Sequence, residues 1–85
     1  VATIIEAKDE AEALRLANLS RYGLGGAIFS KDVERAYQLA VQDMDCGMVF
    51  VNEMVKSDAQ IPFGGVKDSG IGRELGSEGV FEFTN

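Results

Sequence analysis

The 85 residues contain no histidine and a single cysteine, Cys46. The first absence excludes Ser-His-Asp and Cys-His catalysis and any Cys/His zinc site built from this chain alone; the second excludes an intramolecular disulfide. The longest uninterrupted apolar run is Met48-Val49-Phe50-Val51. A bilayer needs roughly 20 residues, and no basic start followed by an apolar stretch reads as a signal peptide. The expected location is the cytoplasm. Positive charge is also scarce, with 8 Lys and Arg against 14 Asp and Glu for a net charge of −6. Such a balance repels phosphate backbones and anionic lipid, so neither nucleic acid nor a membrane is an expected partner.

What is present is the composition of a folded soluble protein, 46% hydrophobic and 26% charged. A chain this short buries only about 60 to 65% of its unfolded surface and is marginal by itself. Residues 1–85 are therefore read as a single incomplete domain, a piece of something larger.

Periodicity along the chain predicts an α/β fold: a partial parallel sheet with crossover helices, β-α-β-α-β, then a glycine-rich loop and a short helix. Val1-Ala2-Thr3-Ile4-Ile5 is β-branched and apolar, as suits a strand covered on both faces. Asp9 is placed to cap a helix from Glu10 to Asn18, with Glu12 at the spacing that lets a carboxylate reach back to the cap's own amide. Glycines 23, 25 and 26 break that helix, and Ala27-Ile28-Phe29 reads as a second strand. A second helix begins at Val33 after Ser30 or Asp32, with Ala36, Tyr37, Ala40 and Met44 completing its apolar stripe and Gly47 ending it. Met48-Val49-Phe50-Val51 is the third strand. Beyond it, 52–60 is polar, 61–72 is glycine-rich, and 73–83 holds a short helix interrupted by Gly76 and Gly79.

The glycine-rich loop invites comparison with phosphate-binding templates, and it meets neither. A P-loop requires Lys after the glycine of G-x-x-x-x-G-K, but the residue after Gly65 and Gly70 is Ile71. A dinucleotide fingerprint starting at Gly70 and Gly72 requires glycine where Leu75 stands. Cys46 lies beside Asp45 near a helix C-terminus, where carboxylate and helix dipole both disfavour a thiolate, and it reads as a small buried residue. The carboxylate pairs Asp43 with Asp45 and Glu10 with Glu12 read as solvating charge on helix surfaces, not as a general acid and base. Asn18-Leu19-Ser20 matches a glycosylation sequon but reads as a helix end. Phe63, fixed by Pro62 and followed by Gly64 and Gly65, is the ring best placed to face a pocket or a neighbouring domain.

The run Pro62-Phe63-Gly64-Gly65-Val66-Lys67-Asp68-Ser69-Gly70-Ile71-Gly72-Arg73-Glu74-Leu75-Gly76 resembles the C-terminal signature of NAD(P)-dependent aldehyde dehydrogenases. Upstream, Glu12-Ala13, Leu16-Ala17-Asn18 and Tyr22-Gly23-Leu24, then Gly47-Met48-Val49-Phe50-Val51-Asn52, resemble two further segments of that family in the same order. Residues 52–58 and the ending Phe81-Glu82-Phe83-Thr84-Asn85 look most like bacterial succinate-semialdehyde dehydrogenases.

The resemblance implies oxidation of an aldehyde to a carboxylic acid. In the family a cysteine thiolate adds to the carbonyl to form a thiohemiacetal, hydride passes to NAD or NADP, and glutamate-activated water releases the acyl enzyme. It implies that nucleophile, general base and most of the cofactor site lie upstream of this chain, so that no catalytic, cofactor-binding or metal residue is assigned within it. Cys46 does not match the nucleophile's motif. Phe63 matches the aromatic lining the substrate tunnel, and Ser57 the position that hydrogen-bonds the substrate carboxylate in succinate-semialdehyde dehydrogenases. Asn52, Lys67, Arg73, Glu74 and the loop glycines match architecture. The implied partners are a small aldehyde, the rest of the parent dehydrogenase, and further copies of it in a dimer or tetramer.

Two alternatives stand beside that reading. One keeps the enzyme and changes the substrate to another small aldehyde. The other is a free-standing, non-catalytic interaction module derived from the family, binding a partner through apolar surface. On either the fragment or the module reading, the 85 residues alone do not reduce NAD(P).

Overall fold

The computed structural model of the chain describes residues 2–81. Helix α1 spans Glu10–Asn18, strand β1 Tyr22–Gly23, β2 Gly25–Ile28, helix α2 Val33–Gln42, β3 Met48–Val51, β4 Val66–Lys67 and helix α3 Gly76–Phe81. Strands β2 and β3 form a parallel pair, from Gly25 opposite Met48 to Ile28 opposite Val51, with α2 as the crossover. Strands β1 and β4 form a separate antiparallel pair, Tyr22 opposite Lys67 and Gly23 opposite Val66. The α/β class therefore stands, with one parallel βαβ unit and a short antiparallel ribbon beside it.

Caps explain where both long helices begin. The Asp9 carboxylate accepts from the Glu12 amide at 2.8 Å, and the Asp32 carboxylate accepts from the Arg35 amide at 3.1 Å. Glu12 does reach back, but to the amide of Lys8 at 2.8 Å and not to that of Asp9. The expected capping box is thus displaced by one residue, satisfying a donor just outside the helix.

The core is small and lies where α2 meets β3. Ala36, Leu39, Met48 and Phe50 are its buried members among the described residues. Burying Leu39, Met48 and Phe50 stabilises by about 1.5–3 kcal/mol each. Leu39, absent from the expected stripe, replaces Tyr37, which is 58% exposed. The buried edge of α2 is rotated toward positions 36 and 39 because the strand it covers sits to that side.

Three other expectations are corrected. Residues 2–7 form no strand, and Ile4 and Ile5 are exposed; Val1 lies outside the described residues. A β-branched run becomes a strand only when a neighbour supplies its ladder, and none of the described residues does so. Helix α2 stops at Gln42, with Asp43 as its C-cap, instead of running to Gly47. The short final helix starts at Gly76 and includes Gly79, so these glycines belong to it and do not interrupt it. Gly76 opens it at φ 60°, following Leu75 at φ 64°. The expected end of that helix near Phe83 lies outside the described residues.

Charged and polar side chains tie α1 to the rest. Arg35 donates to Glu10 at 2.6 Å, joining the two helices on an exposed surface. Asn18 at the end of α1 donates to the Asp43 carbonyl at 2.6 Å and accepts from the Asp45 amide at 2.9 Å. Of the carboxylates read as solvating charge, Glu10, Asp43 and Asp45 are exposed and Glu12 is half-buried; two of them also form inter-element pairs, Glu10 with Arg35 and Asp45 with Lys67 at 3.1 Å.

Candidate functional site: the glycine-rich loop and its supports

Residues 62–76 form a loop folded back on itself. Phe63 and Glu74 exchange both backbone hydrogen bonds, at 2.6 and 2.7 Å, which closes the loop at its base. Its outgoing arm becomes β4, and its turn is held by the Ser69 amide donating to the Val66 carbonyl at 3.2 Å and Gly70 to Lys67 at 3.3 Å. Arg73 lies beneath the arm and donates to the carbonyls of Gly65 and Gly72 at 2.9 and 2.7 Å. Gly76 donates to the Ala59 carbonyl at 2.9 Å, fixing where the chain leaves the loop.

The glycines are there because backbone meets backbone. A Cβ on Gly47 would collide with the carbonyl oxygen of Gly64 and lie 2.8 Å from the Gly65 Cα. One on Gly64 would collide with the Gly72 carbonyl oxygen, and one on Gly65 would lie 2.5 Å from the Ser69 Cβ. Only hydrogen fits at these contacts. Gly70 differs, standing at φ 122° with open space around it, so it serves the turn and not the packing.

Three polar anchors seat the loop on the ribbon. Ser69 accepts from the Gly23 amide at 2.9 Å, Asp68 donates its amide to the Arg21 carbonyl at 3.0 Å, and Lys67 extends its ammonium to the end of α1. There Nζ donates to the carbonyls of Asn18 and Ser20 at 3.0 and 3.2 Å and meets the Asp45 carboxylate. A cation at the free carbonyls of a helix C-terminus also opposes the helix dipole. Asn52, expected as architecture, is that: at φ 57°, it accepts from the Ser30 amide at 2.8 Å and donates to the Ser30 carbonyl at 3.0 Å. This pair of hydrogen bonds joins the C-terminal ends of β2 and β3.

Phe63 is half-buried and lines a cavity of about 370 Å³ together with Leu24, Gly64, Ile71 and Arg73. Ser57 is exposed on a stretch without helix or strand and is not among the walls of that cavity. Cys46 is half-buried in the loop after α2, four residues past the helix. Burial pushes its thiol upward; nearby Lys67 pulls it down less strongly and Asp45 adds a smaller upward push. Burial is thus the largest cause, and the expected Asp45 carboxylate adds to it.

Much of the loop's donor capacity is used within the chain. The amides of Phe63, Asp68, Ser69, Gly70, Glu74 and Gly76 donate to carbonyls of the chain itself, and the Arg73 guanidinium does the same. The space beside Gly47 and Gly64 is occupied by other backbone. Among the described residues no group of three His, Cys, Asp or Glu is placed to hold a metal ion, and no helix is long and apolar enough to cross a membrane.

The sequence profile of the aldehyde dehydrogenase family matches residues 1–85. The chain belongs to that family. It is 55% identical over all 85 residues to the NADP(+) succinate-semialdehyde dehydrogenase of Deinococcus radiodurans, covering 18% of that protein. It is 51% identical, again over its whole length and 18% of the relative, to the NAD(P)+ succinate semialdehyde dehydrogenase Sad of Escherichia coli. The betaine aldehyde dehydrogenase of Staphylococcus aureus, solved in complex with NAD+, superposes with a TM-score of 0.84 at 48% identity, over 91% of this chain and 15% of that one. The chain thus spans less than a fifth of the length of these family members.

The anchoring role of Asn18 was not legible beforehand: an Asn at a helix end is common, and its two bonds go to residues 25 and 27 positions away. Nothing in the sequence around Lys67 signals its partners, the carbonyls at the end of α1.

Proposed function

We propose that these residues form the substrate-side wall of an aldehyde dehydrogenase that oxidises succinate semialdehyde to the dicarboxylic acid with NAD or NADP. The observation carrying this reading is the identity over the whole chain with two relatives named for that substrate. On this reading Phe63 presents its ring to the aldehyde's carbon chain, and Ser57 donates its hydroxyl to the substrate's distal carboxylate. The nucleophilic cysteine, the general-base glutamate and the cofactor site belong to residues outside this chain. The parent assembles as a homo-oligomer, a dimer or tetramer, in the cytoplasm. Exposed apolar side chains such as Ile4, 92% exposed, and Ile71, 100% exposed, support surfaces that other residues of the parent cover.

The test is Ser57→Ala in the full-length protein. A hydrogen bond to a charged group contributes about 1.5–3 kcal/mol, so kcat/KM for succinate semialdehyde is expected to fall about 10- to 100-fold. Butanal, of equal carbon number and uncharged, is expected to lose less than about 3-fold. Equal losses for both would remove Ser57 from the carboxylate. The likeness to betaine aldehyde dehydrogenase favours a second reading, another small aldehyde as substrate; it predicts a higher kcat/KM for such an aldehyde than for succinate semialdehyde in the unmodified protein.

A further inference from the structure

We infer that Lys67 is a positioning residue: its ammonium, held at the end of α1, sets the place of Phe63 at the substrate wall. The assignment rests on the substrate-side reading of Phe63 and goes beyond it in saying what holds the ring there.

Lys67 is committed at both ends. Its backbone lies in β4 opposite Tyr22, and its side chain, 22% exposed, reaches three acceptors from three separate segments: the Asn18 carbonyl of α1, the Ser20 carbonyl of the following turn, and the Asp45 carboxylate after α2. Asn18 closes the same cluster by bonding both Asp43 and Asp45. The main chain at Lys67 stands at φ 53°, a conformation in which glycine is favoured. A lysine kept in a glycine conformation is explained when the side chain does something that glycine cannot.

From Lys67 to Phe63 the chain has little slack. Val66 is paired to Gly23, the Gly65 backbone packs on Ser69 and the Gly23 carbonyl, and Gly64 is wedged between Gly47 and the Gly72 carbonyl. Phe63 is then fixed by its two bonds to Glu74. Close-packed backbone transmits a shift instead of absorbing it. Releasing the ammonium therefore moves β4 and, through three residues, the ring. Phe63 is where the shift reaches substrate.

The experiment is a double-mutant cycle in the full-length enzyme with Lys67→Met and Phe63→Ala, measuring KM and kcat for succinate semialdehyde. Lys67→Met is expected to raise KM about 10-fold while kcat stays within about 2-fold, because a misplaced wall weakens binding more than chemistry. In the Phe63→Ala background the same change is expected to raise KM by less than about 2-fold, since there is no ring left to misplace. A KM increase by the same factor in both backgrounds, or a loss confined to kcat, would overturn the assignment. If Phe63→Ala alone leaves KM unchanged, the substrate reading of Phe63 fails, and the assignment with it; an effect of Phe63→Ala joined to additivity overturns the assignment only. Should Lys67→Met not yield folded protein, Asp45→Ala, which withdraws one of the three acceptors, takes its place in the cycle. Its expected KM increase of about 2- to 3-fold disappears in the Phe63→Ala background, and persistence of the full factor there overturns the role.

Discussion

Replacing Gly47 by Ala tests the claim that backbone-on-backbone packing seats the glycine-rich loop. The added Cβ would overlap the Gly64 carbonyl oxygen and lie 2.7 Å from the Gly64 carbon and 2.8 Å from the Gly65 Cα. Ordinary carbon contacts are about 3.5–4.0 Å, so two strands of main chain must separate by roughly an ångström, and no side chain can rotate away to relieve it. Overpacking of a well-packed site costs about 1–3 kcal/mol. The separation also stretches two neighbouring bonds, Gly47 to the Gly23 carbonyl at 2.9 Å and Met48 to the Leu24 carbonyl at 3.1 Å, each worth about 1 kcal/mol. Against this, alanine reduces the entropy of the unfolded chain by about 0.4–1 kcal/mol. The expected net loss is about 2–4.5 kcal/mol, which for a domain of 150–250 residues lowers Tm by roughly 4 to 18 °C. Thermal unfolding of the full-length protein, followed by far-ultraviolet circular dichroism, measures it. A Tm within about 1 °C of the unsubstituted protein would refute the packing argument, since it would show that the loop has freedom the contacts deny it.

Two further outcomes follow from the same geometry. Asn52 combines a left-handed main chain with two bonds to Ser30, so Asn52→Gly, which keeps the conformation and loses the bonds, is expected to cost about 1–2 kcal/mol, and Asn52→Ala about 1 kcal/mol more; denaturant midpoints that place alanine above glycine would separate the strand junction from its backbone conformation. Cys46, whose thiol is raised by burial, is expected to react with iodoacetamide at pH 8 more slowly than a free thiol. Because the folded state holds that proton more tightly than the unfolded one, stability is complete below the ordinary thiol pKa near 8.5 and declines as pH rises through it. Denaturant midpoints that climb with pH in that window, and that do so less in Cys46→Ala, would contradict the sign.

What was legible in the sequence was whatever local chemistry decides. Asp9 and Asp32 begin helices because their carboxylates satisfy amides three residues on, a range that pattern reading covers. The strand Met48–Val51 was legible as an apolar run of strand length, and the family signature from its residue order. Contacts between distant segments escaped. The two-residue strands β1 and β4 are too short to show a period, and each exists only because the other is there. The end of α2 at Gln42 is set by the Asp43 and Met44 amides both turning back to the Leu39 carbonyl, at 2.9 and 3.1 Å, which no residue type announces. The loop glycines miss the phosphate templates by spacing, but their use in packing depends on a distant segment, Gly47 against Gly64, that no local pattern announces. Ser57 is legible from resemblance alone and Phe63 also from its setting between Pro62 and Gly64, and they part company in space: the one lies exposed while the other lines a cavity.

The wedge of Gly64 between Gly47 and Gly72 bears on how such a protein can change its preferences. Where three main-chain segments touch without intervening side chains, substitution cannot adjust their spacing by small steps: the smallest change available to a glycine is a whole methyl group, and here it has nowhere to go. Residues 53–57, by contrast, are exposed and outside every helix and strand, so their side chains can be exchanged with little effect on the frame. Adaptation to a new aldehyde, by drift or by directed evolution, is therefore expected to accumulate along 53–57 and around Phe63, while the glycine frame beneath stays as it is.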